Sequence, residues 1–235
     1  VSALPETSSA EDFFFYSVRP GNFPKLSRFQ VPVLEEAVET KHYFDCTLIQ
    51  ATPDLLRNYT AYSTYSDQRK PDGTYRVDHN VEFKNTNNQP WTTGVANILS
   101  ENKKGFQPLS QSLLPYTPPG AMCKVLVAQA PDIKVNHVEA VTERRENVVE
   151  FFLRNYDVAK VEGKVSVTNY KSVPATIRIH RSIVGKLLSS EQDWKKQEEN
   201  AYLGVNSSFA ADWEITLKPG EERTWKYSYE VLVDW

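Results

Sequence analysis

Residues 212–233 read DWEITLKPGEERTWKYSYEVLV, and this stretch decides the fold class. Trp213, Ile215 and Leu217 alternate with Glu214, Thr216 and Lys218. Past Pro219-Gly220, Trp225, Tyr227, Tyr229, Val231 and Val233 alternate with Lys226, Ser228 and Glu230. Successive strand side chains point to opposite faces, so a period of two with one apolar face predicts two half-buried antiparallel strands. Pro219 presets φ and Gly220 is free to take φ > 0, which is the chemistry of a tight turn. The expectation is a β-sandwich hairpin. The stretch specifies architecture and carries no catalytic or ligand signature.

The same unit is written once more upstream. Val81-Glu82-Phe83-Lys84-Asn85 is followed by Pro90, and Val165-Ser166-Val167-Thr168-Asn169 by Pro174, in both cases five positions after the Asn. Each is an alternating strand ending in a polar turn, with Pro opening the next strand where its missing N–H costs least. Pro119-Gly120 precedes residues 123–128 just as Pro219-Gly220 precedes residues 223–233. At 235 residues the chain suits one large β domain or two of roughly 100–130 residues. The echo selects two. The predicted fold is all-β: two tandem immunoglobulin-like antiparallel β-sandwiches, residues 11–132 and 133–235, after a loose leader over 1–10 (VSALPETSSA).

Smaller expectations fill in the first half. Four aromatics, Phe13-Phe14-Phe15-Tyr16, read as a strand covered on both faces. Residues 28–34 and 41–49 read as further strands around the acidic turn Glu35-Glu36. Residues 53–66 match helix and strand spacing alike and are assigned a strand after a short helical turn. Arg69-Lys70-Pro71-Asp72-Gly73 is a turn signal.

The second unit is the longer one. Pro174 to Gly220 spans 46 positions against 30 from Pro90 to Gly120, so it carries 16 extra residues. The surplus falls in 185–208, where Ser190-Glu191-Gln192-Asp193 resembles a helix N-terminus and Glu191 stands four residues before Lys195. A short helical insert is expected there. Polar excursions of this kind lie on the surface, so Trp194, Lys195 and Lys196 are the candidate partner contact. The competing expectation is that Trp194 only plugs an open sandwich end.

Composition excludes several classes. A 40% hydrophobic and 12% aromatic content is ample for a packed core. With 27 basic and 30 acidic residues the net charge is −3, which gives no broad cationic field for nucleic acid or anionic lipid. No apolar run approaches the roughly 18–20 residues of a membrane helix. A chain beginning at Val1 fits both a trimmed form and a mature one after signal removal. Cys46 and Cys123 lie on alternating strand patterns and read as buried free thiols. The alternative is a bridge, whose long loop would add about 4–5 kcal/mol in the chain-entropy model.

The chemistry-bearing residues are scattered. His42, His79, His137 and His180 form no H-x-H or H-x-x-x-H pair, and a metal site needs converging ligands. No nucleophile elbow, P-loop or dinucleotide fingerprint occurs. Glu35-Glu36, Glu198-Glu199 and Glu221-Glu222 are adjacent pairs, which along a strand point apart, whereas a glycosidase needs two carboxyls facing one cleft. They read as solvated turns. Trp91-Thr92-Thr93-Gly94 suits sugar stacking, with core packing of Trp91 as the plainer alternative. Asn58-Tyr59-Thr60 and Asn206-Ser207-Ser208 are sequons. The expectation is no catalytic residue, no cofactor and no metal ligand.

Five segments also carry a family resemblance: DFFFYSVRPGNFPKLSRFQVPVL, VEFKNTNNQPWTTGVANIL, LLPYTPPGAMCKVLVAQAPDIKV, VSVTNYKSVPATIRIHRS and WEITLKPGEERTWKYSYEVLV. Together they resemble a bacterial domain of unknown function that forms the C-terminal half of mucoidy-inhibitor-A-like proteins and their planctomycete-type relatives. The resemblance covers nearly the whole chain. Asn85, Pro90, Trp91, Thr92, Thr93 and Gly94, with LKPGE at 217–221, are its most specific parts. It implies a periplasmic or secreted envelope protein and hints at exopolysaccharide, and it supplies no catalytic residues. The expected function is a non-catalytic module binding a protein or glycan of the envelope. The rival readings are a glycan-active enzyme with an interdomain cleft and a structural spacer.

Overall fold

The computed structural model describes residues 6–10, 13–17, 24–26, 31–49, 70, 72–102, 105–151, 154–199 and 206–233. Among these residues the protein is all-β, with no helix. In chain order the strands are β1 (Glu6–Ala10), β2 (Phe13–Ser17), β3 (Lys41–Leu48), β4 (Asp78–Lys84), β5 (Gly94–Asn102), β6 (Gly105–Leu114) and β7 (Met122–Gln129). There follow β8 (Ile133–Phe151), β9 (Arg154–Asn169), β10 (Ala175–Val184), β11 (Lys186–Ser190), β12 (Lys195–Glu199), β13 (Ser208–Leu217) and β14 (Glu222–Val233). Their sheets run β1-β2, β12-β13-β10-β3-β4-β7, β11-β14-β9-β8 and β5-β6.

The chain forms two compact units that interleave along the sequence. The smaller comprises Val1–Lys41 and Val81–Leu126, the larger His42–Asn80 and Val127–Trp235. A single boundary at 132/133 is therefore not where the chain divides. The reason is a pairing that alternation cannot report: β3 lies parallel to β10, with Phe44 opposite Ile177 and Cys46 opposite Ile179. A periodic pattern tells which face a residue takes, not which strand lies beside it.

The larger unit has a sandwich-like core. Ile177, Ile179 and Ile183 of β10 and Trp213, Ile215 and Leu217 of β13 bury one face. Val161, Val165 and Val167 of β9 and Trp225, Tyr227, Tyr229 and Val231 of β14 meet them. The Trp213 ring centre lies 5.9 Å from Trp225 and 5.3 Å from Tyr227. Both halves of the 212–233 stretch are thus strands of the expected alternation. They are not a hairpin, because β13 pairs with β10 and β12 while β14 pairs with β9 and β11. Pro219-Gly220 carries the chain from one sheet to the other.

A buried asparagine pins that corner. Asn169 Nδ2 donates to the carbonyls of Val173, Leu217 and Lys218 at 3.0, 3.1 and 3.2 Å, and its Oδ1 accepts from Lys171 N. Gly220, at φ 73°, donates its N–H to Asn169 O at 2.8 Å, and Asn169 N donates to Glu221 O at 3.0 Å. The smaller unit repeats the set. Asn85 Nδ2 donates to Gln89 O and Thr117 O, its Oδ1 accepts from Asn87 N, Gly120 N (φ 79°) donates to Asn85 O at 2.8 Å, and Asn85 N donates to Ala121 O. The hairpins that follow share one register. Val95 faces Leu113 and Asn97 faces Gln111 across β5-β6, while at the same places Ile179 faces Trp213 and Arg181 faces Ala211 across β10-β13. The Asn corner and the hairpin register up to Ile98 are therefore repeated, while the sheets differ: β10 also pairs with β3, and β5 pairs with β6 in a two-stranded sheet.

Several local expectations are corrected. The leader is not loose over Glu6–Ala10, which pairs with the aromatic strand β2 through backbone groups that ask nothing of side-chain polarity. Residues 31–34 form no strand, since Pro32 lacks the N–H a ladder needs. The 185–208 insert holds no helix among its described residues. Instead β11 pairs with β14 and β12 with β13. Glu191 Oε2 accepts from Lys226 N at 2.8 Å and Glu191 N donates to Lys226 O, so the carboxylate seals a strand edge where a helix cap was expected. The turn at Lys70 is present, with Gly73 N donating to Lys70 O. Residues 53–66 lie outside the described residues. Both cysteines are free and buried, and burial pushes both thiols up.

Candidate functional site

The densest chemistry lies inside the larger unit. On β8, Ile133, Val135, His137 and Glu139 share the inward face; on β10 the inward run is Ile177, Ile179, Arg181, Ile183. Strand parity therefore sends a carboxylate, an imidazole and a guanidinium into the core. The Glu139 side chain is 0% exposed and that of Arg181 4%. Arg181 donates to Glu139 Oε1 from Nη2 at 2.8 Å and from Nε at 3.3 Å, and Nη1 donates to Ser182 O. Tyr227 Oη donates to the same carboxylate oxygen at 2.7 Å. His137 Nε2 lies 2.7 Å from Tyr227 Oη, which assigns the N–H to that nitrogen.

Gly163 makes this reach possible. It stands between Glu139 and Tyr227 across β8-β9-β14, and a Cβ there would come within 2.2 Å of the Tyr227 ring. The ring lies over the empty position and delivers its hydroxyl to the neighbouring strand but one.

Burial alone would raise the Glu139 pKa. The Arg181 charge, with nearby His137 and the Tyr227 hydrogen bond, overrides it and holds the carboxyl well below the ordinary range. Burial, then the Glu139 charge, pushes the Tyr227 phenol well up. The Arg181 guanidinium, which burial alone would weaken, is held charged by Glu139. The cluster is satisfied and sealed, with no surface for a substrate. Its chemistry is that of a lock between sheets, where removing one partner of a buried ion pair costs about 3–5 kcal/mol.

The other sequence candidates disperse. His180 Nδ1 lies 2.6 Å from Asp212 on the neighbouring strand. His42 Nδ1 lies 2.9 Å from His79 Nε2, so two histidines far apart in sequence do meet. Trp91 is 3% exposed with its ring 5.5 Å from Phe83, which takes it out of sugar stacking. Glu35 and Glu36 are exposed, and Glu221 caps its own turn by accepting from Lys218 N at 2.8 Å. Asn206 of the second sequon is buried, exchanging two hydrogen bonds with the Leu232 backbone. Asn58 lies outside the described residues. Trp194 is half-buried on Phe209, 6.2 Å between ring centres, and packs against the core. Lys195 is exposed on β12, while Lys196 is placed there only by its backbone, opposite Ala211.

A surface groove of about 340 Å³ in the smaller unit is lined by Val38, Glu39, Lys41, Glu82, Phe83, Lys84 and Met122 among others, with no histidine or cysteine. No helix among the described residues is long and apolar enough to cross a membrane.

The feature that sequence reasoning missed is the face of the β5-β6 hairpin. Val95 and Leu113, cross-strand neighbours, are each 64% exposed, and Leu99 is 52% exposed. Their repeat counterparts Ile179, Trp213 and Ile183 are buried. Asn97 and Gln111 sit between them, joined by Gln111 Nε2 donating to Asn97 Oδ1 at 3.1 Å. None of these five side chains carries a charge. The opposite face is the served one: Thr92, Ala96 and Ile98 are half-buried, Tyr16 Oη bonds Thr92 Oγ1 at 2.6 Å, and the Phe14 ring lies tilted 6.0 Å from Tyr116.

No family model, curated protein or solved structure matches the chain. Residue roles therefore rest on this geometry and on the internal repeat. The repeat itself is the signal that could have exposed the hairpin face, since aligning Val95 with Ile179 puts an apolar residue where a core position is expected.

Proposed function

We propose that this chain is a non-catalytic binding module of the cell envelope or extracellular space, built of two related immunoglobulin-like β-sandwich units, and that it holds a partner protein on the β5-β6 hairpin. One observation carries the reading: positions that are core in one copy of the repeat are held in the other by Val95, Leu99 and Leu113, apolar and open. Contiguous apolar surface on a folded protein marks an interaction site more often than scattered single residues do. A protein suits it better than a glycan, because glycan sites stack sugars on aromatic rings beside hydroxyls, and this face is mainly aliphatic, Val95, Leu99 and Leu113 with one amide pair, and carries Phe106 at the hairpin end. The envelope setting rests on the family resemblance alone.

A photo-crosslinking residue placed at Leu113 of the full chain, irradiated in envelope extract, tests this. The control is the same residue at Glu162, exposed on the outer face of β9. A protease-sensitive adduct at position 113, absent at 162 and lost on adding Val95→Asp, supports the reading. Only unmodified chain at both positions, or a glycan-only adduct, overturns it.

A further inference from the structure

Two imidazoles meet at the lip of the larger unit's core. His42 on β3 and His79 on the neighbouring strand β4 stack with ring centres 5.1 Å apart and planes 27° apart. His79 also stacks on the buried Phe44 ring, 4.7 Å between centres, so one imidazole is held from beneath while His42 is exposed. We propose that His42 Nδ1 and His79 Nε2 chelate a divalent late-first-row transition-metal ion, copper(II) or nickel(II) in class.

The spacing argues for this class. Metal–imidazole bonds are about 2.0–2.1 Å long, so two nitrogens about 2.9 Å apart subtend about 90° at a shared ion, and the 2.9 Å hydrogen bond shows that the two strands bring the nitrogens within that reach. That is the cis angle of a tetragonal sphere, which copper(II) and nickel(II) prefer.

Preorganisation acts in the same direction. Two neighbouring strands fix the backbones, and only the exposed His42 ring must turn to aim both lone pairs at one point. The N–H that one of these nitrogens carries in the apo pair moves to the other nitrogen of its own ring, a tautomer change through solvent with no net proton lost. Lys171 works against a cation, tempered by Asp132 at 3.5 Å from its Nζ. Among the described residues no third His, Cys, Asp or Glu joins the pair. Water fills the other positions, and the expected affinity is micromolar.

Titration calorimetry of the full chain with copper(II), and separately with nickel(II), in a non-coordinating buffer at pH 7.5 reads the site. One ion per chain is expected, with binding at least tenfold weaker in His42→Ala and in His79→Gln and unchanged in His180→Ala. The copper complex should show two-nitrogen hyperfine structure in its electron paramagnetic resonance spectrum. His42→Ala is exposed and leaves the Phe44 stack intact, so it reports even where His79→Gln fails to fold. Unchanged affinity in His42→Ala, or a copper spectrum independent of that substitution, overturns the proposal.

Discussion

The hairpins β5-β6 and β10-β13 have the same register and opposite fates. In β10-β13, Ile179 and Trp213 face each other in the core, and Arg181, two positions on, enters it to reach Glu139. In β5-β6, Val95, Leu113 and Asn97 hold those positions and stay exposed. The corners flanking the two are bonded alike, down to the Asn side chain that gathers carbonyls. Backbone bonding has been kept where side-chain burial has diverged. A register is fixed by hydrogen bonds and turn geometry, whereas burial depends on what lies over the face. The scaffold and the use made of it are thus separable in this chain.

The largest effect expected from that contrast concerns the polar residues of the two hairpins. Glu139→Ala leaves Arg181 charged and buried, and chemical denaturation should report a loss of about 3–5 kcal/mol. Asn97→Ala, at the place of Arg181 in the exposed copy, should cost under about 0.5 kcal/mol. The paired change Glu139→Leu with Arg181→Leu should recover most of the loss. The same lock sets an acid limit. A carboxyl whose folded pKa is depressed contributes stability that is complete above its ordinary value and is lost as pH falls below about 4 toward the folded value. Glu139→Gln should flatten stability against pH in that window. A loss below 1 kcal/mol for Glu139→Ala, or an unchanged acid limb, would show that the cluster is not a lock.

The apolar pair comes next. Trp213→Ala empties a core position and should cost about 3–5 kcal/mol, while Leu113→Ala opposite Val95 should stay within about 0.5 kcal/mol. Equal losses measured by thermal unfolding would mean that the β5-β6 face is covered after all, and the contrast would fail.

The smallest difference is expected at the corners. Asn169→Ala and Asn85→Ala each orphan buried backbone carbonyls, at about 1–3 kcal/mol for each group left unpaired. The two should be alike, with Asn169→Ala slightly worse because its Nδ2 meets three carbonyls where that of Asn85 meets two. A neutral Asn85→Ala beside a costly Asn169→Ala would restrict the shared corner to geometry without energetic weight.

Much of this was legible in the residues. Alternation placed β3, the end of β9, β13 and β14, and the apolar faces of the last two. The Asn-to-Pro and Pro-Gly spacings disclosed the repeat. The lock was readable too, since Arg181 continues the parity of Ile177, Ile179 and Ile183. What escaped was partnership. The parallel pairing of β3 with β10 joins residues more than a hundred positions apart, and no local pattern encodes it. Pro219-Gly220 looks the same whether it returns a strand along its neighbour or carries it to the facing sheet. The helix expected at Ser190 had a capping signature but no apolar period behind it, and Ser190-Glu191 went instead to close a strand edge. The His42–His79 contact is again a cross-strand meeting, invisible to spacing.

The parallel β3-β10 ladder also sets a timetable for synthesis. Phe44 leaves the ribosome 133 residues before Ile177, the residue it will stand beside. At translation speeds of roughly 5–20 residues per second, that is a wait on the order of ten seconds. Throughout it, a strand carrying Phe44, Cys46 and Leu48 has no partner on one side, and an unpaired apolar strand edge is a template for the wrong neighbour. Residues 41–48 therefore stay open to the wrong neighbour until β10 has been made.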